Sequence, residues 1–112
     1  MTDEDKQKVR AEFKKAVNMT AFQIEAFLKT KESKSVGQKA EGGGESVGHQ
    51  SGRKIVKILL KQVSKLTDED YTHMNKVVGY VARHLAQGGP KDNKKESNWR
   101  YSLMNWGHDP LK

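Results

Sequence analysis

Between residues 53 and 66 the chain places Arg53, Lys54, Lys57, Lys61 and Lys65 without one intervening acid. On a helix the four lysines, at i, i+3, i+7 and i+11, fall within roughly 80° of one another. Ammonium groups held that close repel each other unless an anion lies along them, and no local Asp or Glu offsets them. Such a stripe suits phosphates. A second constellation follows in TDEDYTHMNKVVGYVARHLAQ, residues 67–87. There His73, Lys76, Tyr80, Arg83, His84 and Gln87 share one helical side, combining cations, imidazoles and an aromatic plate that can hold phosphates, stack on bases and reach base edges. A merely solvated face ordinarily carries more Glu and Lys and fewer His and Tyr.

A third candidate is Gly48-His49-Gln50-Ser51-Gly52-Arg53-Lys54. Here Gly48, His49, Ser51 and Gly52 form an anion-binding loop, because glycines leave backbone N–H groups accessible at a helix start. It is not a Walker loop: Lys54 is followed by Ile55 rather than Ser or Thr, and no strand precedes it.

Other chemistries find less support. Four histidines invite a metal, yet His73 and His84 are separated by roughly 16 Å along a helix at 1.5 Å per residue. His49, His108 and Asp109 have no HxH or HxxxH spacing, so no metal and no other cofactor is expected. Ser46, His49, Ser51 and His108 contain a nucleophile and a base without a nucleophile elbow or oxyanion loop, so no enzyme is expected either. The chain has no cysteine, which removes thiol and disulfide chemistry.

The elements that must position these groups are helices. The length of 112 residues fits one domain. Its formal net charge of +7, with pI near 9.6, favours polyanions as partners, although many small proteins are basic only for solubility. No apolar run approaches the roughly 20 residues of a membrane helix, and the start MTDEDKQKVR is too charged for a secretory signal, so a cytoplasmic protein away from membranes is expected. Residues 1–17 read as a lead-in helix, or a clasp across the core, with Val9, Phe13, Ala16 and Val17 on its thin apolar stripe. Residues 18–112 read as the domain. Thr20 and Gln23 make a capping box for a short helix burying Ile24, Phe27 and Leu28.

Residues 29–52, rich in Ser and Gly around Gly42-Gly43-Gly44, read as a loop. Within them Ser35-Val36-Gly37-Gln38 is echoed by Ser46-Val47-Gly48-His49, as two similar turns or as a pair of ligand-gripping loops. The third helix spans Gly52 to Lys65, capped by Ser51 or Ser46, with Ile55, Val56, Ile58, Leu59, Leu60, Val63 and Leu66 on a broad apolar side. A two-residue junction then leads to the helix capped by Thr67, whose inner face is Tyr71, Met74, Val77, Val78, Val81 and Leu85. That junction predicts a helical hairpin or a helix-turn-helix. Gly88-Gly89-Pro90 ends the fourth helix. Ser97 starts a last one carrying Trp99, Leu103 and Trp106, and the tryptophans pin the tail on the core. The fold class is therefore all-α, a small bundle of four to five helices around the hairpin at about 52–87.

Several stretches together, VNMT, ESKSVGQK, ESVGHQSGRKIV, DYTHMNKVVGYVARHLAQ and WRYSLMNWGHDPLK, resemble a family of small, mainly bacterial proteins of unknown function. The likeness runs from about Val17 to Lys112. Members are often labelled DNA-binding proteins, so the resemblance implies DNA rather than RNA as partner and a place at the nucleoid. It brings no site residues with it.

The expectation is a small, basic, non-enzymatic nucleic-acid-binding protein. The Arg53/Lys54/Lys57/Lys61/Lys65 stripe would contact phosphates, and the Lys76/Tyr80/Arg83/His84 face would stack or read edges. Five neutralised phosphates would give a slope of log K against log salt of about −4.5 on duplex DNA. The rival is a protein-interaction module or small regulator whose apolar third helix pairs with another chain. Oligomeric state is open.

Overall fold

A computed structural model describes residues 1–37 and 45–112 of the chain. Among the described residues there are six α-helices and no strand: Asp3–Ala16 (α1), Ala21–Leu28 (α2), Lys31–Ser35 (α3), Val47–Leu59 (α4), Asp68–Ala86 (α5) and Asn98–Asn105 (α6). Short 3-10 turns at Val63–Lys65 and Lys94–Glu96 lead into α5 and α6. The all-α class expected from the sequence is what is observed.

The helix starts follow capping chemistry. Thr2, Thr20 and Thr67 each accept the N–H of the residue three positions on, and the side chains of Asp5, Gln23 and Asp70 return to the threonine N–H. Each box satisfies donors that a helix start otherwise leaves without partners. Ser46 and Ser97 cap α4 and α6 by accepting from His49 and Arg100, both at 3.1 Å.

Two boundaries depart from expectation. The stretch read as a loop at 29–52 contains α3, capped by Thr30, and the first turn of α4. The Gly42-Gly43-Gly44 run and Gln38 lie outside the described residues. The third predicted helix, now α4, starts five residues early at Val47 and stops at Leu59 instead of Lys65. Consequently residues 60–67, not two residues, join it to α5. The Asp70 carboxylate fixes this connection, accepting the Thr67 N–H at 2.9 Å and the Lys61 ammonium at 2.7 Å. Leu59, expected within the buried stripe, and Leu60 and Val63, expected to widen it, are exposed, Leu60 to 71%. Leu85 is exposed as well, while the other inner-face residues of α5 are buried or half-buried.

Burial follows from how the helices pair. α1 lies along α5 and α2 along α4, while α4 and α5 meet over a shorter stretch. On α1, Val9 and Phe13 are buried, and the Arg10 guanidinium donates to the Tyr71 hydroxyl of α5 at 2.7 Å. Ile24, Ile55, Val77 and Leu103, one each from α2, α4, α5 and α6, are fully enclosed in a single cluster. The tail is stitched to the α1–α2 junction by polar groups rather than by tryptophans alone. Asn18 donates to the Asp109 carbonyl at 3.0 Å and accepts the Asp109 N–H at 2.8 Å. The His108 Nδ1–H donates to the Ala16 carbonyl at 2.7 Å. Trp99 packs instead over Gly89, whose φ of +67° and bare Cα leave room for the indole.

Where α2, α4 and α6 converge stands Gly52. A Cβ there would meet Leu28 at 2.7 Å and the Asn105 carbonyl oxygen at 2.8 Å. That oxygen belongs to the backbone and cannot swing aside. Gly79, in mid-α5, faces only the movable end of the Arg83 side chain. Gly52→Ala is therefore expected to destabilise by about 1–3 kcal/mol through overpacking. Gly79→Ala should stabilise by about 0.5–1 kcal/mol through helix propensity. Urea denaturation of both variants checks the opposite signs.

Candidate nucleic-acid interface

Lys76, Tyr80 and Arg83 recur at i, i+4 and i+7 on α5, so they share one side of it. The N-terminus of α4 and the end of α6 face that side, and between them lies a cavity of about 340 Å³. Lys76, Tyr80 and Arg83 line one wall. Val47 and Gly48 from the start of α4 line another, with Gly37 beside them, and Ser102, Asn105 and Trp106 supply the third. No carboxylate is among these residues. The approach of α4 to α6 is close: a Cβ on Gly48 would come within 3.2 Å of the Trp106 indole nitrogen.

Aromatic rings form a near-parallel column behind the cavity. Tyr80 stacks on Trp106 at 4.1 Å between centroids and on His84 at 4.9 Å, and Trp106 lies 6.0 Å from His73. The faces of Tyr80 and Trp106 are thus spent on each other, so a ligand ring meets their edges rather than their faces.

Burial, followed by the charges of Lys54 and Lys76, lowers the pKa of His73 to about 4. Burial lowers that of His84 as well and raises that of Tyr80. Near neutral pH both imidazoles are therefore uncharged, and His73 shares a hydrogen bond with the Ser51 hydroxyl at 2.9 Å. Lys54 lies one turn beyond Ser51 on α4, on the side that meets His73, and Lys76 lies one turn beyond His73 on α5. Together with Arg83 they give this face three positive charges, and no carboxylate among the described residues pairs with them.

The remaining sequence candidates go elsewhere. Arg53, Lys57 and His49 line a separate open groove between α2 and α4. Arg53 is ion-paired with Glu45, which also contacts His49. Lys61 is paired with Asp70, and Lys65 sits in the 3-10 turn beyond the end of α4. The single stripe of Arg53, Lys54, Lys57, Lys61 and Lys65 is therefore divided, because α4 stops before its last two members.

The loop of Gly48, His49, Ser51 and Gly52 is in fact the first turns of α4. Only Gly48 of the four reaches the cavity. The His49 Nε2–H donates to the Leu28 carbonyl at 2.8 Å, Ser51 is held by His73, and Gly52 is packed against Leu28 and Asn105. The echoed Ser-Val-Gly segments are not equivalent turns. The first leaves α3 with Val36 buried, while the second enters α4 with Val47 exposed.

Sequence reasoning missed Ser102 and Asn105, and it assigned Trp106 to the core alone. Asn105 is fully buried and exchanges hydrogen bonds with Ser33 of α3, donating to its carbonyl at 3.0 Å. No sequence signal links Trp106 to Gly48, since their proximity depends on the α4–α6 crossing. Among the described residues no three His, Asp or Glu converge as metal ligands, and no helix is long and apolar enough to cross a membrane.

The fold and this cleft define a small all-α domain with a basic, aromatic-backed cavity. The chain belongs to a family of proteins of unknown function, DUF3140, which it matches over residues 12–104. The match begins inside α1, ahead of the Val17 limit of the resemblance, and ends within α6. No curated protein and no solved structure matches the chain.

The depressed pKa of His73 carries a pH signature. Below pH 6.5 the unfolded chain takes up a proton at this residue that the folded chain refuses until about pH 4. Stability is therefore full above 6.5 and falls as pH drops through that window. The loss is about 1–2 kcal/mol, less than the full linkage value because the ring keeps some solvent contact. Urea midpoints at pH 7 and pH 4.5 should show this drop, reduced by that amount in His73→Gln. An identical drop in both proteins would remove His73 as its source.

Proposed function

We propose that the protein is a non-enzymatic nucleic-acid-binding protein, acting through the face formed by Lys54, Lys76 and Arg83 around the cavity. The observation that carries this reading is that Lys76 and Arg83 stand on a cavity wall with aromatic edges, with Lys54 on the adjoining side of α4, and that among the described residues no carboxylate lines the cavity or pairs with these cations. Cations supply phosphate affinity through counterion release, and ring edges give single bases an apolar surface. DNA is favoured over RNA by the sequence resemblance alone. On this reading the protein works at the cytoplasmic nucleoid.

The rival reading, a protein-interaction module, has its own support in the exposed Leu59, Leu60 and Val63 beyond and at the end of α4. Light scattering on the wild type and Leu60→Glu tests it, since Ile58 is buried and unsuitable for that substitution.

Fluorescence anisotropy with labelled duplex and single-stranded DNA and RNA, across a salt series, tests the main reading. Three neutralised phosphates give a slope near −2.7 on duplex DNA, shallower than the −4.5 of an intact five-cation stripe. Reversal of Lys54, Lys76 and Arg83 to Glu should abolish binding. Reversal of the exposed Lys8, Lys14 and Lys15 on α1, an equal change in net charge, should leave most of it. Absence of binding at low salt, or equal loss in both triple variants, would overturn the assignment.

A further inference from the structure

The cavity beside Tyr80 offers more than a charged surface. Its volume of about 340 Å³ lies at the lower end of the roughly 300–1,000 Å³ of small-molecule sites, larger than a bare phosphate requires. One wall is the N-terminus of a 13-residue helix. In that first turn the His49 N–H is held by the Ser46 hydroxyl and the Gln50 N–H by the Ser46 carbonyl. The Val47 and Gly48 N–H groups have no acceptor among the described residues, and both residues line the cavity. A helix N-terminus favours an anion through such first-turn N–H groups and the macrodipole.

A second, independent observation comes from Trp106. Its side chain is 96% enclosed, at 4% exposure, yet its indole N–H donates to no described residue. Every fully buried side-chain nitrogen or oxygen among the described residues has a partner. The indole nitrogen therefore keeps some exposed surface, and it stands next to Gly48 in a residue that lines the cavity. An acceptor in the cavity would give this donor a protein-side hydrogen bond to a ligand. Lys76 and Arg83, one turn on either side of Tyr80, add two charged donors. The polar inventory is dominated by donors, and no carboxylate is among the described lining residues.

We propose that this cavity binds a nucleoside 5′-monophosphate, either free or as the terminal nucleotide of a strand. The phosphate takes the Lys76 and Arg83 side chains with the α4 N-terminus, and the base lies against the edges of Tyr80 and Trp106 with the indole N–H as a donor. The inference rests on the nucleic-acid reading for its choice of a nucleotide over other phosphate esters, and it names the part of the ligand that enters.

Calorimetric titration of the full chain with AMP, adenosine and inorganic phosphate tests it. Saturable AMP binding at one site is expected, at least tenfold tighter than either adenosine or phosphate. Lys76→Gln and Arg83→Gln, both at exposed positions whose loss leaves the core intact, should each weaken AMP at least fivefold. Lys14→Gln on α1 should leave it unchanged. Competition of AMP by a 5′-phosphorylated oligonucleotide, and not by its unphosphorylated form, identifies a strand terminus as the natural source. AMP binding without such competition identifies the free nucleotide.

Equal affinity for AMP and adenosine would overturn the phosphate assignment, and equal affinity for AMP and phosphate would overturn the base assignment. Failure of AMP at millimolar concentration, with salt-sensitive binding to strands retained, would overturn the cavity proposal and leave the nucleic-acid reading standing. AMP binding without any binding to strands would do the reverse.

Discussion

With no side chain at residue 52, α4 can lie against both α2 and α6, with Leu28 and the Asn105 carbonyl occupying the space a Cβ would need. Much of the candidate site depends on that crossing. It sets the start of α4 beside the end of α6, which brings Gly48 up to the Trp106 indole and closes one side of the cavity. The Asn105 side chain, on the residue next to Trp106, is locked by its two hydrogen bonds to Ser33 of α3. A buried amide satisfied in this way fixes an orientation, because any other rotamer would strand polar atoms away from water. Close packing and a saturated polar pair therefore hold the same corner.

Electrostatics then divide the surface. The sequence places five cations together, but the fold supplies acids from outside that segment: Glu45 reaches Arg53, and Asp70 reaches Lys61. Exposed pairs of this kind contribute little to stability. Their consequence here is distribution, since they reduce the local charge of the Arg53–Lys65 segment while Lys54, Lys76 and Arg83 have no carboxylate partner among the described residues. The imidazoles of the same face contribute no charge near neutral pH. Burial and neighbouring lysines keep His73 neutral, and its ring serves the aromatic column and Ser51.

Much of the architecture was legible in the residues. Thr20 with Gln23 and Thr67 with Asp70 mark helix starts, and Tyr71, Met74, Val77 and Val81 mark the buried side of α5, as the periodicity implies. The end of α4 was not legible. Leu59, Leu60 and Val63 continue an apolar helical pattern, yet no helix among the described residues covers them, and the cap of α5 turns the chain away at Lys61. Of the candidate site, Lys76, Tyr80 and Arg83 were visible as one helical side, and Gly48 as a backbone donor. Trp106 was visible only as an apolar anchor, because what its N–H faces is set by residues far away in the chain.

The sequence by itself determined the all-α class, the capped starts of the principal helices and the side of α5 that carries function-capable groups. These are local properties, decided within three or four residues by hydrogen-bond reach and helical period. Tertiary structure alone decided which cations remain unpaired, which histidines stay neutral and which residues enclose a cavity. Each of those depends on distance and burial between segments remote in sequence, and neither quantity is written in the order of residues along one helix.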